Sequence, residues 1–147
     1  MMPLSARLLG FSGLLPFVVC TLALSLGILP FVPWLSISLC YGAVILSFLG
    51  GVHWAFAMIL PELTIQQQRN RFIWSVIPSL LGWCSFALPA PYAGIILIIG
   101  FTGQFLQDLV IKKLAFLPAW YLSLRLQLSS VAILSLLINS LLAHQST

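Results

Sequence analysis

The feature that most constrains this sequence is how few charged side chains it contains. Eight of its 147 residues are Lys, Arg, Asp or Glu, which is 5% of the chain, whereas 61% of the residues are hydrophobic. A soluble domain carries about 25% charged residues. Because so few charges cannot cover a water-exposed surface of this size, the composition predicts that lipid surrounds most of the chain.

Apolar runs of membrane-spanning length follow one another along the chain. A helix that rises 1.5 Å per residue needs about 20 residues to cross roughly 30 Å of hydrocarbon. The runs are separated by breaks that contain proline, the first at Pro30, Pro33 and Trp34, and by one polar segment, Thr64–Arg71, which we interpret as an aqueous loop or a short interfacial turn. The pattern predicts an all-α integral membrane protein. It predicts one transmembrane domain over residues 1–147 with five transmembrane helices, at about 8–29, 35–60, 72–88, 92–113 and 119–143.

The basic residues orient the predicted helices. With five passes, the N-terminus and the second and fourth loops share one side of the membrane. That side receives all six basic residues, which are Arg7, Arg69, Arg71, Lys112, Lys113 and Arg125. Since Lys and Arg accumulate in cytoplasmic loops, we expect the N-terminus in, the C-terminus out, and a multi-pass protein of the bacterial inner membrane. The basic residues stand singly or in pairs, so the sequence predicts no nucleic-acid partner.

Three of the predicted helices carry polar side chains at a similar depth on the cytoplasmic side. The second helix has His53, next to Trp54, and the fourth has Gln104 and Asp108 four residues apart. The fifth has Tyr121 and Arg125, also four residues apart and therefore on one helical face. An unpaired charge inside a membrane is costly. We therefore predict one shared cluster in which Asp108 pairs with Arg125 and His53 hydrogen-bonds Asp108 or Gln104. The candidate site residues are His53, Trp54, Gln104, Asp108, Tyr121 and Arg125.

Several interpretations of this predicted cluster are open. It can lock the helices together through interhelical hydrogen bonds, or it can bind a quinone, a lipid headgroup or haem. Haem is disfavoured because His144 lies at the opposite face from His53. A catalytic site is disfavoured because no Cys or Ser stands at a suitable spacing from the His and Asp. A pore formed by oligomers would need a polar stripe over the full depth of a helix. We expect no catalytic residue, no metal ion and no cofactor.

Two sequence motifs resemble a known family. The run YGAVILSFLGGVHWAFA at Tyr41–Ala57 and the run PAWYLSLRLQLSS at Pro118–Ser130 are similar to a family of small multi-spanning proteins of unknown function. That family has proteobacterial members and includes the mitochondrial transmembrane protein 69 of animals. The resemblance covers nearly the whole chain and departs from the family mildly at Ala55 and at Ser129 or Ser130. It marks His53, Trp54, Trp120, Tyr121 and Arg125, and it implies a membrane topology without implying a reaction.

These observations favour a non-enzymatic inner-membrane protein that acts through helix contacts. Such a protein would be an accessory or assembly partner of a larger membrane complex, because the sequence offers neither a soluble domain nor a catalytic constellation. The alternative is a protein that binds a quinone, lipid or other hydrophobic ligand in the cytoplasmic leaflet. The expected partners are the lipid bilayer and either other membrane proteins or further copies of the chain as a homo-oligomer.

Overall fold

The computed structural model describes residues 2–28 and 31–145. Within these ranges the structure contains helices and no strand, which confirms the predicted all-α class. The six helices are α1 (Leu4–Ser12), α2 (Leu15–Ser25), α3 (Phe31–Ile59), α4 (Ile65–Ser85), α5 (Ala90–Leu114) and α6 (Ala119–Gln145).

The first predicted helix, at about 8–29, is wrong in its bounds and in its continuity. The apolar segment begins at Leu4, ends at Ser25 and is broken between α1 and α2. Pro16 lies in the first turn of α2 and has no N–H to continue the hydrogen bonds of α1. At the other end Gly27 adopts a left-handed conformation with φ 65°, so that the N–H of the next residue bonds the Ala23 carbonyl. Leu29 and Pro30 lie outside the described residues.

The predicted aqueous loop at Thr64–Arg71 is also wrong, because this polar segment forms the first turns of α4. Thr64 caps the helix: its hydroxyl accepts a hydrogen bond from the Gln67 N–H, and the Gln67 side chain accepts one from the Thr64 N–H. Gln68 then donates to the carbonyl of Ala57 in α3 at 2.7 Å. Helix α4 therefore begins seven residues before the predicted start at position 72, and it carries Arg71 into the protein.

The other three helices begin and end within about four residues of their predicted bounds. The largest difference is at the start of α3, which begins at Phe31, so that Pro33 and Trp34 belong to the helix rather than to the turn before it. Proline is well tolerated in the first turn of a helix, where its missing N–H has no intrahelical partner to lose. The prediction of a turn at these two residues is therefore corrected.

Four segments among the described residues are long and apolar enough to cross a membrane. They are Leu4–Ser25, Val32–Ile59, Ala90–Leu114 and Ala119–Gln145. Helix α4 is not among them, and its first two turns contain the polar run from Gln66 to Arg71. Large apolar side chains are exposed on the outer surface of the bundle, including Val44, Ile99 and Leu134. Contiguous exposed apolar surface of this kind is expected where a protein faces lipid.

Helix α3 occupies the centre of the bundle and lies against α2, α4, α5 and α6. Its approach to α4 is close at Gly50, where a side-chain methyl group would overlap the carbonyl oxygen of Ser75. Leu46 on α3, Leu97 on α5 and Leu136 on α6 are fully buried and belong to one apolar core. This core fills the middle of the bundle, so the buried polar groups described next lie on one side of it.

Candidate functional site

Asp108 is the centre of a buried polar cluster that joins three helices. Its carboxylate Oδ1 accepts hydrogen bonds from His53 Nε2 at 3.0 Å and from the Tyr121 hydroxyl at 2.9 Å. Its Oδ2 accepts a hydrogen bond from Arg125 Nε at 2.7 Å. We call these four residues the Asp108 cluster. It contains the pairing of Asp108 with Arg125 and the contact of His53 with Asp108 that the spacing of the polar residues predicts.

Three of these side chains, on different helices, stand at the same distance from a helix end, and Tyr121 lies one turn nearer the start of α6 than Arg125. His53 precedes the end of α3 by six residues, Asp108 precedes the end of α5 by six, and Arg125 follows the start of α6 by six. At 1.5 Å per residue this is about 9 Å in each case. We call this end of the bundle, with the α3–α4 turn and the α5–α6 connection, the basic end. All three charged or titratable groups therefore meet in one layer.

A second polar layer lies one helical turn deeper, at Gln104. Its side-chain amide donates to the Leu49 carbonyl at 3.1 Å, and its side-chain oxygen accepts from Trp74 Nε1 at 3.0 Å. Gln104 is buried and four residues from Asp108 on the same face of α5. Its hydrogen bonds therefore join α5 to α3 and α4 one turn below the Asp108 cluster. Trp74 on α4 is thereby held between helices by a hydrogen bond.

Trp54 does not join the other candidate residues. Its side chain is 47% exposed, and its indole packs edge-on against the ring of Phe72 with centroids 4.9 Å apart. It follows His53 directly, so the two side chains leave α3 in directions about 100° apart. Trp54 therefore faces the outside of the bundle and stabilises the contact between α3 and α4.

Arg71 is the residue near the site that the sequence did not single out. Its side chain is buried at 6% exposure, and its Nη1 donates to the side-chain oxygen of Gln107 at 2.6 Å. Its Nε has no hydrogen-bond partner among the described residues. Because Thr64–Arg71 was interpreted as a loop, the burial of Arg71 and its contact with Gln107 were not predicted. The Thr64 and Gln67 capping box is the sequence signal that would have placed Arg71 on a helix.

Phe56 was also missed, and it covers the Asp108 cluster on the side of the basic end. Its ring packs edge-on against His53 with centroids 5.5 Å apart, and against Tyr121 with centroids 5.8 Å apart. Phe56 stands three residues after His53 and so shares its helical face. The ring thus packs on two of the donors of Asp108, which is itself fully buried. Such burial strengthens electrostatic contacts.

Arg125 also borders two cavities. One, of about 140 Å³, lies among α1, α2, α3 and α6, and Leu9, Phe17 and Ala132 are part of its lining. The other, of about 210 Å³, lies over Asp108 and Tyr121. Four residues line both, namely Phe48, Leu49, Arg125 and Leu128. We call the two adjoining cavities the Arg125 cleft.

Two residues in the lining of the Arg125 cleft each have a buried polar atom without a hydrogen-bond partner within the described part of the chain. The two atoms are Arg125 Nη2 and the Ser129 hydroxyl. Arg125 is 8% exposed and Ser129 is 4% exposed. They stand four residues apart on α6 and therefore on one face. Buried polar groups are normally paired, so these two atoms are suited to a ligand that accepts a hydrogen bond from the arginine.

The cleft opens toward the surrounding lipid. Leu9 on α1 is 72% exposed and Phe48 on α3 is 67% exposed, and both also contribute to its lining. The remainder of the lining is largely apolar, with Gly10 and Gly13 adding little side-chain volume on α1. An amphipathic molecule could therefore enter sideways, with its polar head at Arg125 and its tail against apolar side chains.

The chemistry available in the Asp108 cluster is narrow. All three of its donors converge on one carboxylate, so that carboxylate is held as an acceptor and is not free to act as a base. In residues 2–28 and 31–145 no group of three His, Cys, Asp or Glu side chains is close enough to hold a metal ion. The arrangement can lock α3, α5 and α6 together, and it leaves Arg125 Nη2 without a partner in a residue that lines the cleft.

Comparison with known proteins agrees with the two motifs. The family described as proteins of unknown function DUF3429 matches residues 2–141. The chain belongs to this family. It is also 35% identical over 144 residues to transmembrane protein 69 of Xenopus tropicalis, an alignment that covers 94% of the chain and 55% of that protein. This DUF3429 chain therefore spans about half the length of the curated relative that it matches. No solved structure matches it.

The family resemblance inferred from the motifs is thereby confirmed. In this DUF3429 protein the marked positions His53, Tyr121 and Arg125 converge on Asp108, which lies in neither motif. Trp120 packs edge-on against Tyr121 with ring centroids 6.4 Å apart. The two motifs therefore supply the donors of the Asp108 cluster, and α5 supplies its acceptor.

Proposed function

We propose that this protein is a five-span protein of the bacterial inner membrane that binds an amphipathic ligand in the cytoplasmic leaflet. The ligand is a quinone, a lipid or another hydrophobic molecule whose polar head accepts hydrogen bonds. The observation that carries the proposal is the pair of partnerless donors, Arg125 Nη2 and the Ser129 hydroxyl, in the lining of the Arg125 cleft within the described residues.

The depth of Arg125 suits the head of such a ligand. Helix α6 has 27 residues and is about 40 Å long, so a helix centred in roughly 30 Å of hydrocarbon extends about 5 Å beyond it at each end. Arg125 lies about 9 Å from the start of α6, which puts its backbone about one turn inside the hydrocarbon boundary. Arginine is long enough to reach headgroup level from there, and a ligand head at that boundary is within its range.

The proposed topology rests on the position of α4 and of the basic residues. Helix α4 has 21 residues, about 31 Å at 1.5 Å per residue, and it packs on α3 and α5. Arg69 in the first turns of α4, and Lys112 and Lys113 in the last turn of α5, lie at the basic end. An excess of basic residues favours the cytoplasmic side. The basic end is therefore proposed to be cytoplasmic, with the N-terminus in and the C-terminus out.

The test is to purify the protein in a mild detergent and to identify small molecules that remain bound by native mass spectrometry and lipid extraction. We expect one amphipathic molecule per chain. Ser129→Ala removes one donor of the cleft and is expected to lower the bound fraction several-fold. Ser130→Ala is the matched control, because Ser130 is the neighbouring serine on the exposed face of α6. Purification without any bound amphiphile, or equal effects of the two variants, would contradict the proposal.

The sequence also predicts an accessory or assembly role, and that role stays a prediction. An accessory role does not require a ligand in the cleft. The two functions therefore predict that different molecules copurify with the chain. An accessory protein should elute with a second membrane protein in fixed stoichiometry. A chain that elutes alone with a bound amphiphile favours ligand binding instead.

A further inference from the structure

The buried charges of the described residues do not balance. Among residues 2–28 and 31–145 two arginines are buried, Arg71 and Arg125, against one buried carboxylate, Asp108. The chain has two acidic residues in total, and the second, Glu62, is exposed in the turn between α3 and α4. The two buried guanidinium groups therefore exceed the one buried carboxylate by one charge.

The contacts of Arg71 do not remove this imbalance. Its Nη1 donates to the side-chain oxygen and, at 3.5 Å, to the backbone carbonyl of Gln107, both of which are neutral. Asp108 gives its two oxygens to His53, Tyr121 and Arg125. A neutral acceptor satisfies a hydrogen bond without compensating the charge. A charge held at low dielectric without a counter-ion is strongly disfavoured.

We propose that the ligand of the Arg125 cleft is an anionic amphiphile, with a phosphate or carboxylate head against Arg125 Nη2 and the Ser129 hydroxyl. This inference rests on the proposed function and narrows its ligand class. A phosphate or carboxylate offers several acceptor oxygens to a guanidinium edge and supplies the missing negative charge. A quinone carbonyl or a zwitterionic head supplies acceptors without net charge.

The shape of the cleft fits the tail of the same molecule. Its apolar lining runs from Leu128 to Ala132 along α6 and reaches Phe17 on α2, toward the middle of the bundle. Arg125 stands at the end of this apolar surface that is nearer the basic end, since it precedes Ala132 by seven residues, about 10 Å, and Ser129 lies one turn deeper than Arg125. The head would therefore point to the headgroup region and the tail to the bilayer centre, which is the orientation of the surrounding lipids.

The experiment measures binding of four probes to the purified protein in a neutral detergent by native mass spectrometry. Phosphatidylglycerol and oleate are the anionic probes, and phosphatidylcholine and decylubiquinone are the probes without net charge. We expect the wild-type protein to bind the anionic probes at least tenfold more tightly. Binding of phosphatidylglycerol but not oleate identifies a phospholipid as the source of the head, and binding of both identifies any anionic amphiphile.

Two variants that each remove one positive charge distinguish the effect of buried charge on the preference for anionic probes from the effect of surface charge. Arg71→Gln removes a buried charge without touching the lining of the cleft, and we expect it to reduce the preference for the anionic probes about fivefold. Lys112→Gln removes an exposed charge at the same end and should leave the preference within about twofold. A melting curve for each variant verifies that it is folded, and Ser129→Ala provides a second, milder change in the cleft.

The outcomes distinguish failure of this inference from failure of the proposed function. Equal binding of charged and uncharged probes by the wild-type protein would overturn the anionic ligand and leave the proposed function standing. Absence of binding by all four probes would overturn both. Equal losses in Arg71→Gln and Lys112→Gln would assign the preference to surface charge rather than to the cleft, and this result also overturns the inference.

Discussion

Arg125 divides its guanidinium group between Asp108 and the cleft. Its Nε donates a 2.7 Å hydrogen bond to Asp108 Oδ2, whereas its Nη2 has no hydrogen-bond partner in the part of the chain that the structure describes. One side chain therefore belongs both to the contact that joins α5 to α6 and to the lining of the Arg125 cleft. A substitution of Arg125 is therefore expected to affect both folding and ligand binding, so other residues are needed to test the two effects separately.

The first prediction concerns the stability of the Asp108–Arg125 pair. Asp108→Leu leaves a buried arginine without its carboxylate, and we expect a loss of about 3 kcal/mol in the free energy of unfolding. The double variant Asp108→Leu with Arg125→Leu buries no unpaired charge at this point and should recover part of the loss. Unfolding in detergent, followed by tryptophan fluorescence, gives the four free energies of the cycle.

The cycle has a clear negative result. If the double variant is as unstable as the sum of the two single variants, the two residues do not stabilise one another. The 2.7 Å contact would then contribute to position alone. Recovery of folded yield without recovery of ligand binding is the result expected from the two roles of Arg125.

The contacts of Asp108 illustrate how much of the site the sequence could predict. The i, i+4 spacing of Gln104 with Asp108, and of Tyr121 with Arg125, placed each pair on one face of a helix. The high cost of an unpaired charge in lipid then required these faces to meet. The lengths of the apolar runs and the cost of burying a charge were sufficient to predict the Asp108–Arg125 pair, because both depend on residue type and spacing alone.

Arg71 and the break at Gly13 required information of another kind. A polar run next to an apolar run is compatible with either a loop or a helix, and the choice depends on whether α3 offers partners, such as the Ala57 carbonyl that Gln68 contacts. The break before α2 is likewise tied to another helix, since the Tyr41 hydroxyl donates to the Gly13 carbonyl at 2.7 Å. Pro16 and the Thr64 and Gln67 capping box are local signals for the two features, whereas the contacts that hold them against α3 cannot be read from local sequence.

The second prediction concerns topology. With α4 as a pass, a reporter at the C-terminus and a cysteine in the α4–α5 turn, for example Leu88→Cys, should both lie outside the cytoplasm. A cysteine in the α3–α4 turn, Glu62→Cys, should lie inside. Labelling of intact cells with a membrane-impermeant maleimide, in a background without Cys20, Cys40 and Cys84, measures this. Labelling of positions 62 and 88 from the same side would show that α4 enters and returns without crossing.

The third prediction compares two adjacent glycines of α3. A methyl group at Gly50 would overlap the Ser75 carbonyl oxygen, whereas a methyl group at Gly51 would meet no atom within 4 Å among the described residues. Gly50→Ala must therefore push α3 and α4 apart, and we expect it to cost about 2 kcal/mol. Gly51→Ala should be neutral or stabilise the protein by up to about 1 kcal/mol, because alanine is the better helix former.

Melting temperatures of the two glycine variants in the same detergent provide the measurement. A similar melting temperature for both would mean that α3 and α4 do not approach each other closely at Gly50. The pair is a matched control, since the chemical change is identical and the two positions are one residue apart.

The last prediction concerns the contribution of a single donor to the Asp108 cluster. The Tyr121 hydroxyl donates to Asp108 Oδ1 at 2.9 Å, and a hydrogen bond to a charged group contributes about 1.5 to 3 kcal/mol. Because His53 and Arg125 still hold the carboxylate in Tyr121→Phe, we expect a loss near the lower end of that range. Tyr92→Phe is the control, since Tyr92 is 63% exposed at the opposite end of the bundle. Chemical denaturation should show a lower midpoint for Tyr121→Phe alone, and an equal shift in both variants would mean that the Tyr121 hydroxyl contributes nothing specific to the cluster.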